Sequence, residues 1–212
     1  MIGADEAGRG PVLGPLVVAA IRVADEEELM ELGVKDSKKL TPRRRERLYQ
    51  SIKTCCELSV ERIGASMIDE LRTSMTLNQI EKDLFVKAVD RLPYNMDRIL
   101  VDCCDTNQER FSQELRELLG NTNVTARHRA DEDYPCVAAA SIVAKVNRDT
   151  MISHIDAMAQ ERWGVSIGSG YPSDPNTCRF LEFIDESGEE MPFFVRRSWK
   201  TVGRFRQLTL DI

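Results

Sequence analysis

The chain has 212 residues, 42% of them hydrophobic and 30% charged, and its formal net charge is −6 at pH 7. This ordinary globular composition predicts one large domain, or a domain with an appendage, whose core needs neither metals nor disulfides. The longest uncharged stretch, residues 10–21, is too short to cross a bilayer, which argues against a membrane-spanning protein.

The predicted elements follow from hydrophobic periodicity and capping residues. The predicted strands cover residues 2–6, 13–23, 58–63, 98–103 and 124–128. The predicted helices cover residues 42–55, 76–92 and 106–120, a long segment from residue 135, and residues 174–188. The spacings Thr76-x-x-Gln79 and Thr106-x-x-Glu109 predict capping boxes at the starts of the second and third helices. Alternating strands and helices predict an α/β fold with one mixed sheet flanked by helices. We divide the chain into a core of residues 1–134 and a helical C-terminal segment, residues 135–212, packed on it.

The cysteines predict free thiols in a reducing cytoplasm. Four of the six form adjacent pairs, at 55–56 and 103–104, and no Cys-x-x-Cys spacing occurs. With only His128 and His154 available as well, a structural zinc site is not expected. Asp5 and Glu6 stand where a signal peptide would be basic and then apolar, so the sequence predicts a cytoplasmic protein without a cleaved leader.

Cations are concentrated in three clusters although the chain is acidic overall. These are residues 38–47, 127–129 and 196–206, whereas acids concentrate at 25–32 and 182–190. A solvated charged face explains any one cluster. Three together favour a surface that binds a polyanion.

Four acids lie at predicted strand ends, where ligands of α/β sheets bind. They are Asp5, Glu6, Asp102 and Asp131. Neighbours on a regular strand point to opposite faces, so Asp5 and Glu6 can share a site only if the strand bends or ends there. If these carboxylates converge, each pair would repel by roughly 4 kcal/mol at about 4 Å. Bound Mg²⁺ or Mn²⁺ would relieve this repulsion. The alternative is four independent caps or solvated residues.

The stretch "GRGPVLG", beginning at Gly8, is not a dinucleotide-binding fingerprint, because a predicted strand follows it and prolines interrupt it. It is either a plain turn or a device that exposes backbone groups to a ligand. Backbone donors and acceptors of this kind can hydrogen-bond a ribose 2′-hydroxyl.

Five blocks in the same order resemble the ribonuclease HII family, and more closely its archaeal and eukaryotic branch. They are "GADEAGRGPVLGP", "GVKDSKKL", "ADEDYPCVAAASIVAKVNRD", "GSGYPSDP" and "SWKT". The resemblance implies a ribonuclease H-like five-stranded sheet with a helical C-terminal segment. It also implies two-metal hydrolysis of RNA paired with DNA, including single ribonucleotides embedded in DNA, with 5′-phosphate and 3′-hydroxyl products.

The resemblance also assigns roles to particular residues. It implies that Asp5, Glu6, Asp102 and Asp131 bind two ions of Mg²⁺ or Mn²⁺ and carry catalysis. It implies that substrate contacts come from Gly8, Arg9 and Gly10 at the 2′-hydroxyl, Tyr171 on the sugar, and Lys38, Lys39, Ser141 and Lys145 at phosphates. One departure is Cys103 after the third acid, where the family commonly has serine or alanine.

Two other functions remain open on the residues alone. One is a DNA nuclease or resolvase on the same carboxylate fold, which would be indifferent to the ribose. The other is a silent hybrid-binding protein, against which the intact acid quartet argues. We expect a monomer, and the spacing of Gln207 and Leu210 leaves open a weak sliding-clamp contact through the tail, without the usual terminal aromatics.

Overall fold

The computed structural model describes residues 1–34, 40–93 and 97–207, with only the backbone for 205–207. Its sheet has five strands in the order β3-β2-β1-β4-β5. The strands are β1 (Ile2–Ala7), β2 (Leu16–Arg22), β3 (Glu57–Ile63), β4 (Ile99–Asp102) and β5 (Val124–Arg127). Because β1 is antiparallel to β2 but parallel to β4, and β4 is parallel to β5, the sheet is mixed, as predicted.

Helices make up most of the remaining described chain. They are α1 (Glu26–Leu32), α2 (Pro42–Cys55), α3 (Ala65–Leu71), α4 (Leu77–Asp90), α5 (Gln108–Leu119), α6 (Ala130–Asp133), α7 (Pro135–Trp163), α8 (Pro175–Ser187) and α9 (Lys200–Gln207). The sequence analysis did not predict the short helices α1, α3, α6 and α9. α1, for example, lies in a run that we interpreted only as an acidic cluster, although Asp25 caps it.

Capping residues explain where several helices begin. Thr76 and Gln79 form both hydrogen bonds of the predicted capping box at the start of α4. The box predicted at Thr106 is wrong by one residue, because the side chain of Asn107 caps α5 by accepting from the backbone N–H of Arg110. α5 ends at Gly120, as predicted.

The described chain forms two compact units. The first contains Met1–Ala7, Val17–Arg62 and Thr76–Asn147, and the second contains Gly8–Leu16, Ile63–Met75 and Arg148–Ile212. This division differs from the predicted boundary at residue 134, since the first part of α7 belongs with the sheet. Whether residues 1–134 form a separate domain stays a prediction.

Each unit has its own apolar core. In the first unit, β2 side chains such as Val17 and Ile21 pack with the start of α7, where Ala138, Ala139 and Ala140 are fully buried. In the second unit, Phe180 of α8 packs with other buried apolar residues, which are Val12, Leu13, Ile152, Ala159, Ile167, Leu181, Ile184, Met191, Phe194, Val195 and Val202. Among the described helices, none combines the length and apolar character needed to traverse a bilayer.

The approach of β1 to α7 depends on a missing side chain at Gly3. A Cβ atom there would lie 2.5 Å from the carbonyl oxygen of Cys136 and 2.6 Å from the backbone nitrogen of Val137. Both are backbone atoms of α7, so no rotamer change could relieve the overlap. Gly3 therefore sets the spacing between helix and strand two residues before Asp5.

We predict that Gly3→Ala lowers the free energy of unfolding by about 3 kcal/mol, because the strand and helix must separate to admit the methyl group. Chemical denaturation would measure the change. Gly64→Ala is the matched control, since a Cβ at Gly64 meets no atom within 4 Å and its φ is −75°. Equal stability of the two variants would contradict the proposed close packing at Gly3.

Candidate functional site

Three of the four predicted acids form one cluster in the first unit. One carboxylate oxygen from each of Asp5, Glu6 and Asp102 lies within 4.8 Å of the other two. Asp5 is buried, and the other two are half-buried. The structure therefore brings these three acids together, and their binding of metal ions stays a prediction.

The register of the sheet brings Asp5 beside Asp102. β1 and β4 run in parallel, and their pairing ends with Ala4 opposite Val101. The next residue on each strand is an aspartate, so both carboxylates lie where the two strands cease to pair. Glu6 follows directly, and its backbone N–H donates to the Asp5 carboxylate at 2.7 Å.

Burial and like charge both act on Asp5. Burial is the larger cause and the charge of Glu6 the second, and together they raise the pKa of the Asp5 carboxyl well above its usual range. Two groups on α7 oppose this shift, the hydroxyl of Ser141 by hydrogen bonding and the ammonium of Lys145 by its charge. Lys145 Nζ also donates to Ser141 Oγ at 2.6 Å.

Ser141 and Lys145 therefore face an acid of the cluster. Ser141 is fully buried, and its hydroxyl lies between the Lys145 ammonium and the Asp5 carboxylate. This arrangement supports a role for Ser141 and Lys145 in positioning the Asp5 carboxylate. The predicted contact of these two residues with substrate phosphate stays a prediction.

The fourth acid, Asp131, lies outside the three-carboxylate cluster. It is buried in α6, directly after β5. The preceding residue is tied to the cluster, because the backbone N–H of Ala130 donates to Asp102 Oδ1 at 2.7 Å. The chain at Asp131 is thus anchored to the same acid, although its carboxylate is not within the 4.8 Å group.

The carboxylate cluster fits a hard divalent cation. Its three donors are anionic oxygens, the ligand type that Mg²⁺ and Mn²⁺ prefer. Without a cation, carboxylates this close repel one another, and the charge of Glu6 contributes, after burial, to the raised pKa of Asp5. A bound dication would convert that repulsion into attraction.

The glycine-rich turn lies in the second unit, and the chain reaches it directly from Ala7. Gly8 has φ +92°, a conformation that L side chains rarely adopt, and a Cβ there would lie 2.5 Å from the carbonyl oxygen of Pro15 and 2.6 Å from Arg148 Nε. Gly10 is exposed. A side chain at Gly8 is therefore excluded by both conformation and space.

Arg196 holds the turn, and the sequence analysis missed it. Its guanidinium is fully buried and donates to the carbonyl oxygens of Gly8 at 2.6 Å, Arg9 at 3.1 Å and Gly14 at 3.0 Å. We had counted Arg196 among the cations of a polyanion-binding cluster, but it is inaccessible to a polyanion. Trp199, three residues later, was the only local signal that the run of residues 196–206 is not fully exposed to solvent.

Tyr171 lies beside the turn within the second unit. A Cβ at Gly10 would lie 3.8 Å from Tyr171 Cε1. The Arg148 guanidinium stacks 5.1 Å from the centre of the Tyr171 ring and donates to the carbonyl oxygen of Ser169 at 3.1 Å. Tyr171 is 40% exposed, so part of the residue is open to a ligand while Arg148 stacks on its ring.

The remaining predicted contacts are only partly described. Lys38 and Lys39 lie outside the described residues. From the same basic cluster, Arg43, Arg44 and Arg47 are exposed on α2.

Comparisons with known proteins agree with these observations. Residues 2–202 match the family model described as Ribonuclease HII. The curated Ribonuclease HII of Archaeoglobus fulgidus is 45% identical over 209 residues, which are 99% of this chain and 98% of that protein.

Two solved structures share the fold over nearly the whole chain. A structure of the PCNA:RNase HII complex from A. fulgidus has a TM-score of 0.88 and 44% identity, covering 99% of this chain and 98% of that one. The crystal structure of ribonuclease H2 from Pyrococcus horikoshii OT3 has a TM-score of 0.89 and 37% identity, covering 100% and 99%. These matches confirm the predicted fold and class of enzyme, a ribonuclease H endonuclease, and the chain belongs to the ribonuclease HII family.

Proposed function

We propose that this protein hydrolyses the RNA strand of RNA/DNA hybrids and cuts at ribonucleotides embedded in DNA duplexes, leaving 5′-phosphate and 3′-hydroxyl ends. The observation that carries the proposal is the covalent proximity of the carboxylate cluster to the glycine-rich turn. Glu6 and Gly8 are two residues apart, which limits their Cα–Cα distance to about 7 Å. The proposal assigns the two neighbouring stretches to one function, the acids to the metal ions and the turn to the ribose.

We propose that Asp5, Glu6, Asp102 and Asp131 together hold two divalent cations, Mg²⁺ or Mn²⁺. When bound, such ions supply an activated water and stabilise the charge on the leaving 3′-oxygen. The protein's own part is to fix the acids: Ser141 and Lys145 orient Asp5, and the N–H of Ala130 orients Asp102. Because the ions would activate the water and the protein would hold the acids, this mechanism needs no histidine as general base.

The ribose is recognised by the backbone of Gly8, Arg9 and Gly10. Because Arg196 fixes the carbonyl groups of Gly8 and Arg9, the turn is pre-organised before substrate binds. Each carbonyl oxygen has two lone pairs and can accept from Arg196 and from a hydroxyl together. Tyr171 stacks on the sugar, and Lys38, Lys39, Ser141 and Lys145 are the proposed phosphate contacts.

A cleavage map on a DNA duplex with one embedded ribonucleotide tests this function. We expect a single cut at the ribonucleotide in Mg²⁺ or Mn²⁺, and none with a chelator or on the all-DNA duplex. Equal cutting of the all-DNA duplex would favour the DNA nuclease. Binding without cutting would favour the silent hybrid-binding protein.

The first prediction concerns charge repulsion in the carboxylate cluster. In chelator at neutral pH, Asp5→Asn should raise the free energy of unfolding by about 1–2 kcal/mol, because it removes a buried charge but keeps the oxygen that accepts from Glu6. Added Mn²⁺ should stabilise the wild type more than the variant. Glu186→Gln, at an exposed acid of α8, is the control. A destabilised Asp5→Asn protein in chelator would contradict the repulsion argument.

The second prediction concerns stacking by Tyr171. Tyr171→Ala should lower kcat/KM on the single-ribonucleotide duplex about tenfold, since stacking on a nucleotide is worth about 1–3 kcal/mol. The loss should be smaller on a long hybrid, where many registers are available. Tyr171→Phe keeps the ring and serves as the control. Equal losses of kcat/KM on both substrates would contradict the proposal that Tyr171 recognises a single embedded ribonucleotide.

The third prediction concerns the tail, whose residues 208–212 lie outside the described residues. The A. fulgidus complex with PCNA supports a clamp contact for this chain, and we propose that Gln207 and Leu210 contribute to it. Because residues 207–212 contain no aromatic side chain, and aromatic side chains usually make the strongest contacts, the dissociation constant of this chain should be about 0.1 mM or weaker. Titration of the cognate clamp with the full chain and with a form ending at Arg206 would measure it. Identical binding curves would eliminate the tail as a docking element.

A further inference from the structure

We propose that Asp69, on α3, is a positioning residue for ribose recognition, because it fixes the segment from which Arg196 holds the glycine-rich turn. The inference rests on the proposed function, in which that turn reads the 2′-hydroxyl. All the residues involved belong to the second unit, and Asp69 itself is outside the acid cluster, the turn and the stacking tyrosine.

The first step joins Asp69 to the residues that follow Arg196. Asp69 Oδ2 accepts from the backbone N–H of Arg197 at 2.7 Å. Asp69 Oδ1 accepts from the backbone N–H of Ser198 at 3.0 Å and from its hydroxyl at 2.6 Å. One carboxylate thus fixes two successive peptide units immediately before α9.

The second step runs from this segment to the turn. Arg196 directly precedes the two residues that Asp69 holds, and its guanidinium reaches the carbonyl oxygens of Gly8, Arg9 and Gly14. Its backbone N–H also donates to the carbonyl oxygen of Val12 at 2.9 Å. A shift of the segment would therefore move at least four hydrogen-bond donors to the turn.

Charge provides a second link between Asp69 and Arg196. Burial is the main cause that lowers the pKa of Arg196, to about 9, and the nearby Arg148 cation adds to it. The charge of Asp69 opposes this shift and so favours the cationic guanidinium. Asp69 therefore stabilises both the position and the charged form of the group that holds the turn.

Trp199 completes the connection between α3 and this segment. The guanidinium groups of Arg72, at the end of α3, and Arg196 each lie 4.9 Å from the centre of its ring. At the other end of α3, Ser66 Oγ donates to the carbonyl oxygen of Phe193 at 2.8 Å. α3 thus contacts the 193–199 segment at three places, of which Asp69 provides the central one.

Amide spectra of protein labelled with ¹⁵N-glycine test the connection without substrate. Asp69→Ala should shift the resonances of Gly8, Gly10 and Gly14, and leave those of Gly120 and Gly188, at the ends of α5 and α8, unchanged. Asp69→Asn keeps one acceptor but loses the charge, so it should produce smaller shifts at the same three glycines. Glu70→Ala, which removes an exposed carboxylate from the same helix, is the matched control.

Kinetics on the single-ribonucleotide duplex test the consequence. Asp69→Ala should lower kcat about tenfold per folded molecule, with Mn²⁺ affinity unchanged, whereas Glu70→Ala should match the wild type. A purely structural role would instead reduce the folded fraction and leave kcat per folded molecule unchanged.

Unchanged Gly8, Gly10 and Gly14 resonances in folded Asp69→Ala or Asp69→Asn would overturn the Asp69 proposal, as would an unchanged kcat in the presence of shifted resonances. Failure of the wild type to cut the single-ribonucleotide duplex would instead overturn the proposed function. The two failures are distinguishable because the spectra contain no substrate.

Discussion

Repulsion among three carboxylates is the constraint on which the candidate site depends. Asp5, Glu6 and Asp102 each place an oxygen within 4.8 Å of the other two, and Asp5 is buried. Such a cluster costs stability unless cations compensate it. Its persistence requires rigid support, and the parallel pairing of β1 with β4 and the close approach of α7 at Gly3 provide it.

The same need for support recurs at the glycine-rich turn, where the groups to be held are backbone carbonyls. A turn built around a glycine with positive φ has little side-chain packing of its own, so its shape must come from outside. Buried Arg196 supplies three donors for that purpose, and Arg148 supports the ring of Tyr171. Arg196 and Arg148 therefore support other residues of the site. A map of surface charge would not indicate this structural role.

Local sequence signals predicted the strands and the main helices, but they left open whether the acids converge, which only the family resemblance implied. The capping box at Thr76 and the aspartates at the ends of β1 and β4 depend on neighbours in the chain or in one sheet. Arg196 was not predictable in this way, because its partner Gly8 is 188 residues away in sequence. Apart from Trp199, the charges of the basic run around it are those expected of a solvated surface.

If the sheet assembles a divalent-cation site from neighbouring strands, loss of one carboxylate of the cluster should weaken cation binding. A titration of Mn²⁺ followed by water-proton relaxation tests it most directly, on the wild type, Asp102→Asn and the exposed-acid control Glu186→Gln. Asn at position 102 retains an oxygen for the N–H of Ala130, so the fold should persist. Mn²⁺ binding should be at least about tenfold weaker for Asp102→Asn alone. Equal binding by all three proteins would contradict this prediction.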